Sequence, residues 1–140
     1  MANWIGVARS NYFRVKDVDE FKKEMEGFPG VRVVEDKKEG EAPHFALFGD
    51  EGYWPTHRDI SDPENDTYGD EEVEFDAVVA AHLPDDEVAV FQVAGFEKER
   101  YVTGYAFAVN SKGEQLDVTI DSIYEMSRDK WGVLPTAAAY

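Results

Sequence analysis

The residues whose types and spacing could support chemistry are concentrated between positions 59 and 76, in the stretch DISDPENDTYGDEEVEFD. This stretch contains no basic residue and nine carboxylates: Asp59, Asp62, Glu64, Asp66, Asp70, Glu71, Glu72, Glu74 and Asp76. Carboxylates clustered in this way can bind a divalent cation, form a solvated linker, or present a surface that resembles a polyanion. Each of these three interpretations can be tested against the rest of the sequence.

A calcium-binding EF-hand loop is the most specific metal motif to test. Asp62, Glu64 and Asp66 occupy positions 1, 3 and 5 of such a loop. Position 6 requires glycine for a sharp turn and is Thr67, while position 12 requires a bidentate glutamate and is Val73. No specific metal site is therefore predicted, although a weaker loop-borne Ca²⁺ or Mg²⁺ site stays open.

Motifs for catalysis are equally incomplete. His57, Arg58 and Asp59 spell the HRD of kinase catalytic loops, but the following Asn, the glycine-rich loop and DFG are absent from the sequence. The three histidines lack metal-ligand spacing, no serine has a G-x-S-x-G context, and there is no cysteine. His82 is expected to be a half-buried packing residue. We therefore predict no catalytic residue, no cofactor and no enzymatic activity.

Composition indicates a packed domain. The chain has 140 residues, of which 43% are hydrophobic and 14% aromatic, enough for one good core. The N-terminus has no basic region followed by an apolar run, so no signal peptide is predicted, and no apolar run is long enough to cross a bilayer. A soluble cytoplasmic protein is expected, with which the absence of cysteine is consistent.

Net charge is the one extreme property of the sequence. Thirty acidic and fourteen basic residues give −16, to which the stretch from Asp59 to Asp76 contributes nine negative charges. A field of this sign repels nucleic acids and anionic membranes and attracts basic surfaces. Direct binding to nucleic acid is therefore not expected, because affinity for phosphates depends on Lys and Arg.

Hydrophobic periodicity predicts the order β-α-β-β-α-β-β-β-α. A first strand is predicted at residues 6–15, and the first helix begins after Asp17, with Glu20 placed as in a capping box. Residues 31–35 and 44–48 predict a hairpin, and residues 49–69 an irregular, flexible region. Further strands are predicted at residues 87–96, 101–109 and 114–120.

Two more helices complete the predicted elements. The second begins at Asp70, and its apolar face is formed by Phe75, Val78, Val79, His82 and Leu83. The third is capped by Thr119 or Asp121, with Ile123, Tyr124, Ser127 and Trp131 on one face. The predicted fold is a single α+β domain over residues 1–132, followed by a C-terminal tail at 133–140. It has a mostly antiparallel sheet of about five to six strands, with three helices packed on it.

The helical interpretation of residues 70–83 divides the acidic stretch into a flexible loop and the charged first turn of an amphipathic helix. Carboxylates fixed on such a scaffold could reproduce the field of DNA, which carries one negative charge per roughly 1.7 Å of its axis. The protein would then occupy the basic groove of a nucleic-acid-binding enzyme. The predicted partner-binding residues are Asp62, Glu64, Asp66, Tyr68, Asp70, Glu71, Glu72, Glu74 and Asp76, with Tyr53 and Trp54 as aromatic contacts.

Several segments carry a resemblance to a protein family. SNYFRVKD near the start, EVAVFQVAGFEKERYVTGYAFAVNSKGE and DSIYEM are together similar to an uncharacterised family of small acidic bacterial proteins carried on plasmids and phages. The resemblance covers most of the chain except residues 50–70 and the tail. It implies no catalytic residues. It implies a context in which the partner is a bacterial defence enzyme, either a CRISPR effector or a restriction enzyme, and the protein is an anti-CRISPR or antirestriction inhibitor.

Other interpretations of the acidity stay open at this point. An immunity-type or regulatory module could bind one basic partner through the same acidic face without mimicking nucleic acid. The charge could also serve solubility alone. An enzyme whose site the sequence does not reveal is the least favoured alternative. For Tyr53 and Trp54, folding back onto the core is favoured over display as contact residues, because large aromatics in loops usually do so.

Overall fold

A six-stranded antiparallel sheet is the main element of this computed structural model, which describes residues 4–99 and 101–138. Its strands are β1 Trp4–Ser10, β2 Val31–Asp36, β3 His44–Gly49, β6 Val88–Glu97, β7 Tyr101–Asn110 and β8 Gln115–Thr119. They lie in the order β2-β3-β1-β6-β7-β8. A separate pair consists of β4 His57–Asp59 and β5 Asp70–Glu72. The predicted α+β fold with a mostly antiparallel sheet is confirmed.

Local sequence signals account for the first helix and the hairpin that follows it. Helix α1 spans Val18–Met25, and Asp17 Oδ1 accepts a hydrogen bond from the Glu20 N–H at 3.1 Å, as the capping pattern predicts. The hairpin β2–β3 pairs along its whole length, from Val31 opposite Gly49 to Asp36 opposite His44. Both predictions are confirmed.

One face of the sheet carries the core. Phe21 and Met25 of α1 pack on it, together with Phe75 and Val79 of helix α2, which spans Phe75–Ala80. Phe91 of β6 lies among the aromatic rings of this layer and is fully buried. The core therefore forms between the two helices and strands β1, β3 and β6.

The second predicted helix begins five residues later than its acidic start suggested. Asp70–Glu72 is not helical: it forms β5 and pairs with β4. The helix begins only at Phe75, where the apolar spacing begins, and Phe75, Val79 and Leu83 are buried as predicted. The prediction of a helix from Asp70 was therefore wrong, because a cross-strand partner outside the local window takes these residues into a sheet.

The first strand is also shorter than predicted. β1 ends at Ser10, whose hydroxyl accepts from the Leu47 N–H and donates to the Asn11 carbonyl, both at 2.8 Å. Beyond it the Asn11 N–H donates to the Val90 carbonyl at 3.0 Å, and a bridge between Phe13 and Phe45 brings the chain back to β3. A serine that satisfies backbone groups of two segments ends the regular ladder, and alternation of residue types gives no sign of it.

The third helix, α3, spans Ser122–Trp131 and contributes no buried residue. Gly132 ends it in the left-handed conformation, at φ 74°. Residues 133–138 of the predicted tail are exposed, whereas Ala139 and Tyr140 lie outside the described residues. Within the part of the chain that the structure describes, no helix is both long enough and apolar enough to cross a membrane.

Candidate functional site

The acidic stretch forms a β-hairpin that we call the acidic arm, residues 57–72. β4 and β5 pair as His57 opposite Glu72, Arg58 opposite Glu71, and Asp59 opposite Asp70. The Ile60 N–H continues the ladder with a 3.0 Å bond to the Gly69 carbonyl. The predicted irregular region therefore contains regular structure, and the acids are carried on paired strands.

The tip of the acidic arm is closed by its own backbone. The N–H groups of Asp62 and Thr67 each donate to the other residue's carbonyl, at 2.7 and 3.0 Å. Between them, Pro63–Asn65 forms one 3₁₀ turn, and Asp66 follows in the left-handed conformation at φ 54°. The Asn65 side chain donates to Asp62 Oδ2 at 2.6 Å. These contacts fix the positions of the tip carboxylates relative to the strands.

Arg58 attaches the base of the acidic arm to helix α1. Its Nη1 donates to Glu24 Oε2 at 2.7 Å, and its guanidinium lies 5.9 Å from the centre of the Phe28 ring. Arg58 Nε is 3.1 Å from Glu71 Oε1, an ion pair in which the N–H is not aimed at the oxygen. The Asp59 N–H adds a 2.8 Å bond to the Gly27 carbonyl. The one arginine of the acidic arm is therefore used internally.

Glu24 connects this anchor to His82. Glu24 Oε1 is 2.5 Å from His82 Nε2, and the His82 ring also packs edge-on against Phe21 with centroids 5.5 Å apart. The His82 side chain is 12% exposed, which confirms the prediction of a half-buried packing residue. A cleft of about 530 Å³ between α1 and the base of the acidic arm is lined by Glu24, Arg58, Asp59 and His82 among others.

Hydrogen bonds from Ser61 also order the base of the acidic arm. The Ser61 N–H donates to Asp59 Oδ1 at 2.8 Å. The Ser61 hydroxyl and this N–H together hold the pKa of the Asp59 carboxyl below its usual range. Asp59 lies directly opposite Asp70, and like charges in that position destabilise a strand pair. The Ser61 contacts favour the charged form of Asp59 despite this repulsion.

The predicted contact residues divide into three groups. On the acidic arm itself, six are exposed and Asp62 is half-buried: Asp62, Glu64, Asp66, Tyr68, Asp70, Glu71 and Glu72. Glu74 is the N-cap residue of α2 and Asp76 lies in its first turn, so they adjoin the base of the acidic arm. Tyr53 is 51% exposed and its hydroxyl donates to Glu51, which raises the pKa of Tyr53.

Trp54 is not a contact residue. It is 8% exposed and belongs to the core, where its ring stacks on Phe75 and meets Phe91 edge-on with centroids 5.0 Å apart. Its selection as a partner-binding residue was wrong because the burial of a loop aromatic depends on what packs above it. The favoured alternative, that Trp54 folds back onto the core, is confirmed.

Sequence reasoning missed the anchor formed by Glu24, Arg58 and His82. The available signal was that Arg58 is the one Arg or Lys between positions 39 and 97 of the chain. The position of a lone cation in an acidic segment suggests an internal ion pair, but its partner on α1 could not be deduced from spacing.

The remaining chemistry of the site is limited. Within residues 4–99 and 101–138, no three His, Cys, Asp or Glu side chains are grouped as metal ligands.

Comparisons of this chain with protein-family models, with curated proteins and with solved structures found no match. The resemblance to small acidic proteins of plasmids and phages therefore stays a prediction. The acidic arm is the feature from which a function can be argued.

Proposed function

We propose that the protein is a small acidic inhibitor that binds, through the acidic arm, the basic nucleic-acid-binding surface of another protein. One observation carries this proposal: seven carboxylates lie on a hydrogen-bonded hairpin whose single arginine is paired with Glu24 and Glu71. The outward field of the acidic arm is therefore almost entirely negative, and a Lys- or Arg-lined groove complements it.

The spacing of the carboxylates supports mimicry of a nucleic acid. Residues rise about 3.3 Å each along a β-strand, and phosphates of one DNA strand rise 3.4 Å each. Asp70 and Glu72 are alternate residues of β5 and lie on the same side of it, roughly 6.6 Å apart along the strand. Asp70 and Glu72 thus present two negative charges about two phosphate rises apart, which basic side chains spaced for phosphates can contact.

The order of the acidic arm supports tight binding. A flexible acidic segment loses conformational freedom when it binds, whereas a preformed hairpin has already lost it during folding. Seven negative charges on one projection also accelerate the encounter with a basic partner, and salt screens that effect. We expect association to be fast at low ionic strength and to weaken steeply as salt increases.

The resemblance supplies the class of partner, which we propose to be a bacterial CRISPR effector or restriction enzyme. Such enzymes bind nucleic acid through Lys and Arg clusters, which the acidic arm would occupy. This mode of action requires no catalytic residue and no cofactor in the inhibitor, and it places the protein in the cytoplasm. On this proposal the protein acts by occupancy and not by chemistry.

An alternative is an acidic protein-binding module without nucleic-acid mimicry. It is favoured by two apolar residues of the acidic arm that a phosphate-binding groove would not need: Tyr68, which is 72% exposed, and Ile60, which is 52% exposed. An exposed aromatic beside charged residues is typical of a protein–protein contact.

Competition binding distinguishes the two functions. Purified CRISPR effectors and restriction enzymes are titrated with the protein in the presence and absence of duplex DNA or guide RNA. Mimicry predicts that protein and nucleic acid exclude each other, while a module bound elsewhere would leave nucleic-acid binding unchanged. Failure to bind any enzyme of the panel would contradict the proposed partner class.

Matched charge variants then test the acidic arm. One variant changes Glu64, Asp66, Asp70 and Glu72 to the corresponding amides. The control changes four exposed acids outside the acidic arm to Gln: Glu39, Glu41, Glu99 and Glu125. Both lose four negative charges, so a general charge effect weakens them equally. We expect a loss of affinity of about 30-fold or more in the first variant alone, corresponding to roughly 2 kcal/mol.

A further inference from the structure

Along strands β1, β6, β7 and β8, the face of the sheet opposite the core is apolar and uncovered. Side chains alternate along each strand, so the residues between the buried positions point away from the helices. We call this surface the outer face, defined by Ile5 and Val7 of β1, Phe96 of β6, Val102 of β7, and Leu116 and Val118 of β8. Their exposed fractions run from 44% for Phe96 to 77% for Leu116.

The area of the outer face is larger than a monomer ordinarily leaves in water. The exposed fractions of these six residues correspond to roughly 700 Å² of apolar surface, against about 300–600 Å² for the largest patch of a typical monomer. Each partner in a standard protein–protein interface contributes about 800 Å². The outer face and its immediate neighbours are therefore large enough for one stable interface.

The charge of the outer face identifies its occupant. Although 30 of the 140 residues are acidic, none of the outward positions of β1, β6, β7 and β8 in the described chain is Asp or Glu. Arg9, the one charged residue at these positions, lies over the Phe48 ring at 4.9 Å. Two copies of a −16 chain can meet here without bringing carboxylates together, whereas a basic partner would be attracted to the acidic arm instead.

The outer face has a self-complementary shape, because it carries both a ridge and a groove. Leu116 and Val118 stand on the edge strand β8, and beside them a groove of about 390 Å³ runs over the small residues Ala94, Gly104 and Ala106. In a two-fold arrangement, the same patch of each copy contacts the other, so a ridge and a groove on one surface can fill each other. Two sheets packed in this way lie about 10 Å apart.

We propose that the outer face is a homodimer interface, in which the sheets of two copies pack face to face around a two-fold axis. The proposal is independent of the acidic arm, which lies on different strands and binds a different class of surface. In a dimer each assembly carries two acidic arms, so a partner with two basic sites could be bound twice.

Sedimentation equilibrium at protein concentrations from about 1 to 100 μM tests the dimer. We expect the wild-type chain to reach twice its 15.8 kDa monomer mass. Because the interface is apolar and the chains repel each other, raising the salt concentration should strengthen the dimer, in contrast to binding by the acidic arm. A mass of one monomer over the whole range would overturn the proposal.

Two matched double variants of β8 locate the interface. L116E/V118E adds two charges to the outer face, and Q115E/T119E adds two charges to the opposite side of the same exposed strand. We expect the first to be monomeric and the second to remain dimeric, with at least a 100-fold difference in dimer dissociation constant. V7E on β1 should also give a monomer. Circular dichroism of each variant confirms that it is folded.

Two results with these variants would overturn the face-to-face interface. If L116E/V118E and V7E remained dimeric, the copies would associate through another surface. If Q115E/T119E dissociated as fully as L116E/V118E, added charge alone would explain the loss, and the outer face would have no special role.

Discussion

Trp54 and Phe75 stack their rings in the core, with centroids 5.6 Å apart and planes inclined by 13°, and the whole acidic arm lies between them in the sequence. The chain leaves the core after Trp54 and returns to it at Phe75, so one aromatic contact closes the base of the hairpin. The position of the acidic arm therefore depends on aromatic packing in the core.

This contact gives the first prediction. We expect Trp54→Ala to lower the free energy of unfolding by about 3–5 kcal/mol, because it removes a large buried ring and leaves a cavity. Trp54→Phe should cost less, because Trp54 Nε1 is buried without a hydrogen-bond partner among the described residues. Urea denaturation measures both. Tyr68→Ala, at a residue 72% exposed, serves as the control and should stay within about 0.5 kcal/mol.

The second prediction concerns the Arg58 anchor. Arg58→Gln breaks its ion pairs with Glu24 and Glu71, so backbone amides of the acidic arm should exchange with solvent faster than in the wild type. Because the Arg58 side chain is 28% exposed, we expect the loss of global stability to be only about 1 kcal/mol.

A second surface arginine provides the control for this anchor. Arg32 pairs with Asp50 at 3.4 Å, and both side chains are more than half exposed. Arg32→Gln removes the same charge but should leave amide exchange of the acidic arm unchanged. Equal exchange rates in the Arg58 and Arg32 variants would show that Arg58 does not hold the acidic arm.

The third prediction concerns pH. The pKa of Asp59 is lowered in the folded protein by the Ser61 hydroxyl and then by the Ser61 N–H, so its ionised form stabilises the fold. That contribution is present above the unfolded pKa of Asp, about 3.9, and is lost as the pH falls through the lower folded value. NMR titration of the Asp59 carboxyl carbon should give a midpoint below 3.9. Ser61→Ala should raise that midpoint; an unchanged midpoint would exclude the hydroxyl as a cause.

The fourth prediction compares two glycines. A Cβ at Gly95 of β6 would lie 2.5 Å from the Ile5 carbonyl oxygen and 2.7 Å from Gly6 Cα, both backbone atoms that cannot move aside easily. Gly95→Ala should therefore destabilise the β1–β6 pair by about 1–3 kcal/mol. A Cβ at Gly69 of the acidic arm meets nothing within 4 Å, so Gly69→Ala should be tolerated. Thermal unfolding of the two variants tests this difference.

Local patterns determined much of the fold. Capping by Asp17 and the apolar spacing that follows define α1, alternation defines β6, β7 and β8, and the two apolar runs around a polar loop define the β2–β3 hairpin. The apolar spacing from Phe75 onward also located α2 correctly. These signals are readable because each depends on residues within a few positions of one another.

Local sequence patterns predicted only part of the candidate site. The carboxylates of the site could be identified from the sequence because charge is a property of composition. The sequence did not reveal that Asp70–Glu72 pair with His57–Asp59, because the choice between helix and strand depended on a partner segment and on the Arg58 contact with Glu24. Nor could it separate buried Trp54 from exposed Tyr53, since the two are neighbours in one loop.

The outer face, too, was determined partly by the sequence and partly by tertiary packing. Along β6, Phe91 and Val93 are buried, whereas Gln92 and Ala94 between and after them are exposed. Apolar residue types on both sides of a strand determine that both sides avoid water, and this much can be read from sequence. Which side the helices cover, and which is left for another molecule, is decided only by tertiary packing, because the helices that cover it come from distant parts of the chain.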